Sequence, residues 1–233
     1  MSTLLDQLEA TLGSSGLVVG SSISDKYSAD WSGAKPCPPA ALLKPKTTNE
    51  LSAVMVLCHQ YDQPVVVQGG LTGLAGGATP QNGEFAVSLE RMNAVEEIDP
   101  TAMTLSAQAG TPLQVLQEAA AEHDLFVPLD LGARGSCMIG GNVATNAGGT
   151  EVIRYGMTRS MVLGLEVVLA DGTVVSSMNK MVKNNSGYDL KHLFIGSEGT
   201  LGIVTRVVLQ LQPKSRGTHT ALCTLDSYAA CTQ

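Results

Sequence analysis

The chain is short of positive charge. Its 14 lysines and arginines face 21 aspartates and glutamates, for a formal net charge of -7. A nucleic-acid surface needs a basic face, so that class of partner is excluded. Cysteine pairs are missing too. Cys37, Cys58, Cys137, Cys223 and Cys231 show neither zinc-ribbon nor thioredoxin spacing, and a chain of 233 residues needs no disulfide staples. The N-terminus lacks a charged-then-apolar signal pattern. Asp6 and Glu9 precede the first basic residue, Lys26, which argues against a mitochondrial transit peptide. The expected setting is therefore cytoplasmic and reducing. No apolar run reaches membrane-spanning length, so no integral membrane segment is expected. Lysine is absent between Lys46 and Lys180, which removes the residue a phosphate-binding P-loop requires.

What is present is a globular composition, 44% hydrophobic and 15% charged, long enough for one sizeable domain or two small lobes. Leu4, Leu5, Leu8 and Leu12 mark one face of a first helix. A strand at 41–43 precedes a capping box, Thr47-Thr48-Asn49-Glu50, and a helix carrying Leu51, Val54, Met55 and Cys58. A strand at 64–67 completes a βαβ unit. Strands follow at 85–89, 94–98 and 104–107. A helix to about residue 122 has Thr111 as N-cap and Pro112 at its first position. Asp171-Gly172 joins strands at 161–169 and 173–175 as a hairpin. A short helix is expected at 188–194, strands at 202–211 and 218–225, and a helix start near Ser227 that the end at Gln233 cuts off.

Glycine is in excess. More than half of the 25 glycines fall in three clusters, at 68–77, 132–149 and 195–203. Such density costs backbone entropy on folding. It is expected where backbone must come close to a large, phosphate-bearing cofactor, which in an acidic protein is held by backbone N–H groups. Gly70, Gly73 and Gly76 give G-x-x-G-x-x-G rather than the dinucleotide G-x-G-x-x-G. Amides of residues 69–73 and the Thr72 hydroxyl could bond a pyrophosphate; a glycine-rich hairpin that binds nothing would read the same way. In the second cluster Ser136, Asn142, Thr145 and Asn146 alternate with Gly140, Gly141, Gly148 and Gly149. Their amides and hydroxyls suit the edge of a heteroaromatic ring, or equally local turns. In the third, Gly196, Gly199 and Gly202 surround Glu198, as a ligand contact or a tight helix-to-strand turn.

Taken together, PVVVQGGLTGLAGG, PLDLGARGSCMIGGNVATNAGG, LGLEVVLADGTVV and NNSGYDLKHLFIGSEGTLGIVT resemble the FAD-binding domain of the vanillyl-alcohol oxidase/PCMH flavoprotein superfamily. The pattern is most similar to its D-2-hydroxyglutarate dehydrogenase branch, with glycolate oxidase flavin subunits and D-lactate dehydrogenases as near relatives. The resemblance implies an α+β, two-lobed PCMH-type fold. It implies an N-terminal helix and connector at 1–34, an FAD domain at 35–213 with lobes of about 35–125 and 126–213, and the start of a substrate cap domain at 214–233. It places the FAD diphosphate against Gly69, Gly70, Leu71, Thr72 and Gly73, with Gln68 beside them among the cofactor-binding residues. The isoalloxazine and ribityl region would lie along Pro128, Leu129 and Asp130, then Gly135, Ser136, Gly140 and Gly141, then Asn142, Thr145, Asn146, Gly148 and Gly149. The adenine end would lie near Glu198, Gly199, Gly202 and Ile203.

Two departures from the family pattern matter. Leu71 stands where the relatives usually have Asn. None of the four histidines, His59, His123, His192 and His219, falls in a cluster, so FAD is expected to be noncovalent. Family chemistry oxidises a D-2-hydroxy acid to a 2-oxo acid with hydride transfer to FAD, and a protein or quinone accepts the electrons. The cap supplies the substrate-binding and metal-binding residues and those that assist proton removal, so no catalytic base and no metal ligand is assigned in this chain. A catalytically incomplete FAD-binding module, or one subunit of a split enzyme, is the alternative. A phosphate-transferring nucleotide enzyme lacks its lysine. Without a cap, the flavin face and residues 218–233 are expected to leave apolar surface uncovered.

Overall fold

Helix α1 (Leu4–Leu12) starts from a closed capping box: the Thr3 hydroxyl accepts the Asp6 N–H and the Asp6 carboxylate accepts the Thr3 N–H. Its Leu8 and Leu12 turn inward. The computed structural model, which describes residues 3–217 and 219–231, then runs through β1 (Leu17–Val19) and β2 (Ala41–Leu43) into α2 (Thr48–Gln60). The Thr47 hydroxyl caps α2 at the Glu50 N–H, but the Glu50 carboxylate takes the Lys46 N–H, one residue before the expected box. α2 buries Leu51, Val54, Met55 and Cys58, the expected face. Strands β3 (Val65–Gln68) and β4 (Phe85–Ser88) complete a sheet of order β1-β2-β4-β3, with β2 and β3 both parallel to β4. β4 is buried along its whole length, as a central parallel strand should be.

The rest of the chain builds a second, five-stranded sheet and a two-stranded pair. In order come β5 (Val95–Asp99), β6 (Thr104–Gln108), α3 (Leu113–Ala121), β7 (Leu125–Phe126), α4 (Ile139–Ala144) and α5 (Val152–Tyr155). They are followed by β8 (Val162–Val168), β9 (Val174–Ser177), α6 (Lys191–Phe194), β10 (Ile203–Gln210) and β11 (Gln212–Pro213). The strand order of the sheet is β5-β6-β10-β8-β9, antiparallel throughout, and β7 pairs with β11. β5 and β6 thus stand in the second sheet, and a lobe boundary near 125 does not follow the sheets. The pairing of β6 with β10 is long-range and leaves no local mark in sequence.

Four local expectations are corrected. Pro112, not Thr111, occupies the N-cap of α3; the buried Thr111 hydroxyl instead donates to the Ala94 carbonyl at 3.2 Å. Helix forms only at Lys191–Phe194, because Tyr188 and Leu190 are exposed and offer no face to bury. Residues 219–225 form no strand, and Leu222, Leu225 and Tyr228 are exposed; Thr218, the expected first residue of that strand, lies outside the described residues. Near Ser227 the chain makes only a 3-10 turn, Ala229–Cys231. Among the described residues no helix is long and apolar enough to cross a membrane.

One apolar cluster joins the two sheets, with Leu43, Leu51 and Val54 on one side and Leu105, Leu165 and Val207 on the other. Its polar seam fixes their angle. Thr48 donates to Glu166 Oε1 at 2.6 Å, Thr205 donates to the same oxygen at 3.0 Å, and Ser52 donates to the Gly172 carbonyl at 2.6 Å. Arg206 binds Glu96 through two nitrogens and approaches Glu166 Oε2 at 3.6 Å. With the sheets held together on this side, the three glycine loops converge at a common cleft.

Candidate functional site

The first loop leaves β3 at Gln68. That side chain is fully buried, and its amide donates at 2.9 Å to the carbonyls of Tyr27 and Ala78. Gln68 is a clamp under the loop and does not line the cleft. Asp30 is a second clamp. It accepts from the Ser32 N–H at 3.0 Å, the Thr79 hydroxyl at 3.2 Å and the Ala78 N–H at 3.5 Å. Burial pushes its carboxyl up, but those hydrogen bonds outweigh burial and hold it below the ordinary carboxylate range. The Trp31 N–H donates to the Gly73 carbonyl at 2.9 Å. Among the described residues, the N–H groups of Gly70, Leu71, Thr72 and Gly73 find no protein acceptor. They form a rim of unpaired donors, the feature an anion requires. Leu71 holds φ at 58°, the left-handed region where Asn is at ease and leucine is strained.

The second loop lies along residues 109–114. The Leu113 N–H donates to Cys137 O, Ile139 N–H to Thr111 O, and Gly140 N–H to Ala109 O at 2.7 Å. A Cβ at Gly140 would stand 2.6 Å from the Ala109 Cβ. Gly70 and Gly149 are as constrained: a Cβ would overlap the carbonyl oxygen of Ser136 or of Asp130. Gly141 differs, since a Cβ there meets nothing within 4 Å and faces the cleft. Its neighbour Asn142 lines the cleft while only 5% exposed, and its Oδ1 has no partner. A buried acceptor without a donor is costly unless a ligand supplies one. The third loop caps α4, with Gly196 N–H on Val143 O and Glu198 N–H on Ala144 O at 2.8 Å.

The three loops enclose about 620 Å³. Of the residues expected from sequence, the cleft gathers Gly69, Gly70, Leu71, Thr72 and Gly73 from the first loop; Gly140, Gly141, Asn142 and Thr145 from the second; and Glu198, Gly199, Gly202 and Ile203 from the third. It does not gather Gln68, Pro128, Leu129, Asp130, Gly135, Ser136, Asn146, Gly148 or Gly149. Leu129 is core, Asp130 pairs with Arg134 at 3.0 Å, and Asn146 Oδ1 accepts the Arg159 N–H at 2.9 Å. For Asn146 the local-turn reading is the one its side chain follows. Asp30, Cys137 and Met138 line the cleft and were not picked out from sequence; no spacing rule marks them. Burial pushes the Cys137 thiol up, so it stays protonated and unreactive. The charged residues lining the cleft are Asp30 and Glu198; among the described residues, no lysine, arginine or histidine lines it. A second depression of about 250 Å³, between β8, β9 and residues 179–191, shares no lining residue with it.

Comparison with known proteins gives three findings. A family described as FAD binding domain matches residues 39–177. A protein of Oryza sativa subsp. indica named probable D-2-hydroxyglutarate dehydrogenase, mitochondrial, is 44% identical over 223 residues, which is 96% of this chain and 40% of that protein. Its Bos taurus namesake, also mitochondrial, is 48% identical over 188 residues, or 81% and 35%. The chain thus spans about two fifths of the length of these relatives. A solved alkyldihydroxyacetonephosphate synthase superposes with a TM-score of 0.82 at 22% identity, covering 92% of this chain and 41% of that one; the likeness is one of fold. The relatives' names overturn the cytoplasmic setting expected above and point to mitochondria. Unpaired cysteines suit any reducing compartment, so they never discriminated between the two.

Proposed function

Because this chain belongs to the FAD binding domain family, we propose that it is the FAD-holding portion of a dehydrogenase that oxidises a D-2-hydroxy acid of the D-2-hydroxyglutarate kind to its 2-oxo acid. The observation that carries the proposal is the 44–48% identity to proteins named for that activity, over most of this chain. The cleft suits the cofactor. Its free N–H groups at residues 70–73 can bond the diphosphate, and the unpartnered Asn142 Oδ1 can accept from a hydroxyl or ring N–H. The open face of Gly141 leaves room for a flat ring, and the main chain at Glu198, Gly199, Gly202 and Ile203, which also lines the cleft, can meet the adenine end. FAD supplies the hydride acceptor; this chain orients it and shields it from water. With no histidine in the three loops, FAD is held without a covalent bond.

Residues 35–213 make this cofactor domain, and 214–233 begin the part that meets substrate. The groups that orient the hydroxy acid and take its proton belong to the length of the relatives that this chain does not span, and a protein or quinone takes the electrons. The expected test result is saturable FAD binding by the purified chain, seen as a perturbed flavin spectrum. The chain joined to the remaining length of a relative should then lose flavin absorbance on anaerobic addition of D-2-hydroxyglutarate. No saturable FAD binding would overturn the proposal. Binding without reduction in the joined protein would favour the second reading, a module without its own catalysis, to which the exposed Leu222, Leu225 and Tyr228 also point.

A further inference from the structure

The cleft is unusual in its charge. A site for a polyanion commonly carries lysine or arginine, yet the charged residues lining this one are both acidic. Both lie against the later half of the first loop, Asp30 beside Gly73 and Ala78 and Glu198 beside Gly77. Asp30 Oδ2 would lie 3.6 Å from a Cβ at Gly73, and Glu198 Oε2 3.1 Å from a Cβ at Gly77. Asp30 is 9% exposed and fixed by hydrogen bonds, whereas Glu198 is exposed. The basic side chains of neighbouring segments are engaged elsewhere: Lys26 with Glu90, Arg134 with Asp130, and Arg159 with the Ile195 and His192 carbonyls. Among the described residues, the partial charges of backbone N–H groups are therefore what balances an anion here.

We propose that Asp30 and Glu198 are specificity-determining residues, which make the cleft take a flavin whose phosphates are diesterified, one charge on each, and reject one ending in a phosphomonoester. The inference rests on reading residues 69–73 as the seat of the FAD diphosphate. A phosphomonoester carries close to two charges on one group at neutral pH. Seated on the same N–H groups as in FAD, it places the second charge beside Asp30, where no cation offsets it. The FAD diphosphate spreads its two charges along the loop and carries an adenosine that reaches the third loop. Selection against FMN then arises from repulsion built into the loop's own clamp, in addition to the contacts that FMN lacks.

The test is paired titration of the purified chain with FAD and FMN, followed by flavin fluorescence. In Asp30→Asn, which keeps an oxygen for the Ser32 N–H and the Thr79 hydroxyl, FMN affinity should rise about tenfold, and more than FAD affinity does. Glu198→Gln should act in the same direction and less, because its charge is screened by solvent. In the unaltered chain, FMN affinity should strengthen from low to about molar salt as the Debye length falls. An unchanged FAD-to-FMN ratio in both variants, or FMN binding that weakens with salt, would overturn the inference while leaving FAD binding intact. Failure of the unaltered chain to bind FAD would instead overturn the cofactor reading beneath it.

Discussion

On one wall of the cleft, residues 69–77 hang between β3 and the Tyr27–Ser32 segment, pinned from below by Gln68 and Asp30. On the other, residues 134–141 are laced backbone to backbone against 109–114. Both walls are rich in glycine, and the reasons differ by position. Gly70 and Gly149 are glycine because another stretch of this chain fills the space of a side chain. Gly141 is glycine with nothing near it but the cleft. Glycine density therefore marks the neighbourhood of a cofactor, while only a subset of the glycines is free to touch one.

The comparison breaks most visibly at the packed positions. Gly70→Ala and Gly149→Ala should each lower the unfolding free energy by about 3 kcal/mol, read by urea denaturation, because a backbone carbonyl has to move. A loss below about 0.5 kcal/mol would show that the walls do not touch as described. Asn142→Ala should weaken FAD binding about tenfold while leaving the stability of the FAD-free chain unchanged or improved, since it removes an unpaired buried acceptor. Equal losses in both measurements would mean that Asn142 serves the fold alone. Gly141→Ala should raise stability by about 0.5 kcal/mol, as alanine does for glycine inside a helix, and still weaken FAD binding. Opposite signs at Gly141 and Gly70 are the sharpest form of the contrast.

Smaller effects are expected at Leu71 and Asp30. Leu71→Val places a β-branched residue at a φ of 58° and should cost about 1 kcal/mol, whereas Leu71→Asn, at home there, should change stability by less. Lost contact with the Tyr27–Val66 cluster offsets part of that relief. Asp30 also makes stability depend on pH, because its hydrogen bonds hold the carboxyl below the ordinary range in the folded chain. Its folded-state value lies below the ordinary 3.8, so its contribution is present above about that pH and fades as pH falls through the lowered value. Asp30→Asn should flatten that part of the acid-denaturation curve. An unaltered curve would remove Asp30 from the clamp.

Much of this was legible in the sequence. The capped α2, the strands around it, the Asp171-Gly172 hairpin and the three loops follow from periodicity and turn residues, and the order of the motifs carries the family. What was not legible is long-range. The letter G is the same at Gly70, which meets Ser136, and at Gly141, which meets nothing. β6 joins β10 across about a hundred residues and carries β5 into the same sheet. The short α4 hides behind Gly140 and Gly141, whose low helix propensity masks it. Asp30 stands outside every cluster, so nothing in its surroundings marks it as a clamp.

The claim that residues 70–73 seat the cofactor's diphosphate is tested most directly by amide hydrogen exchange with and without FAD. These N–H groups have no acceptor within the described chain, so they should exchange freely alone and become protected at saturating FAD. FAD that binds while leaving their exchange unchanged would contradict the account.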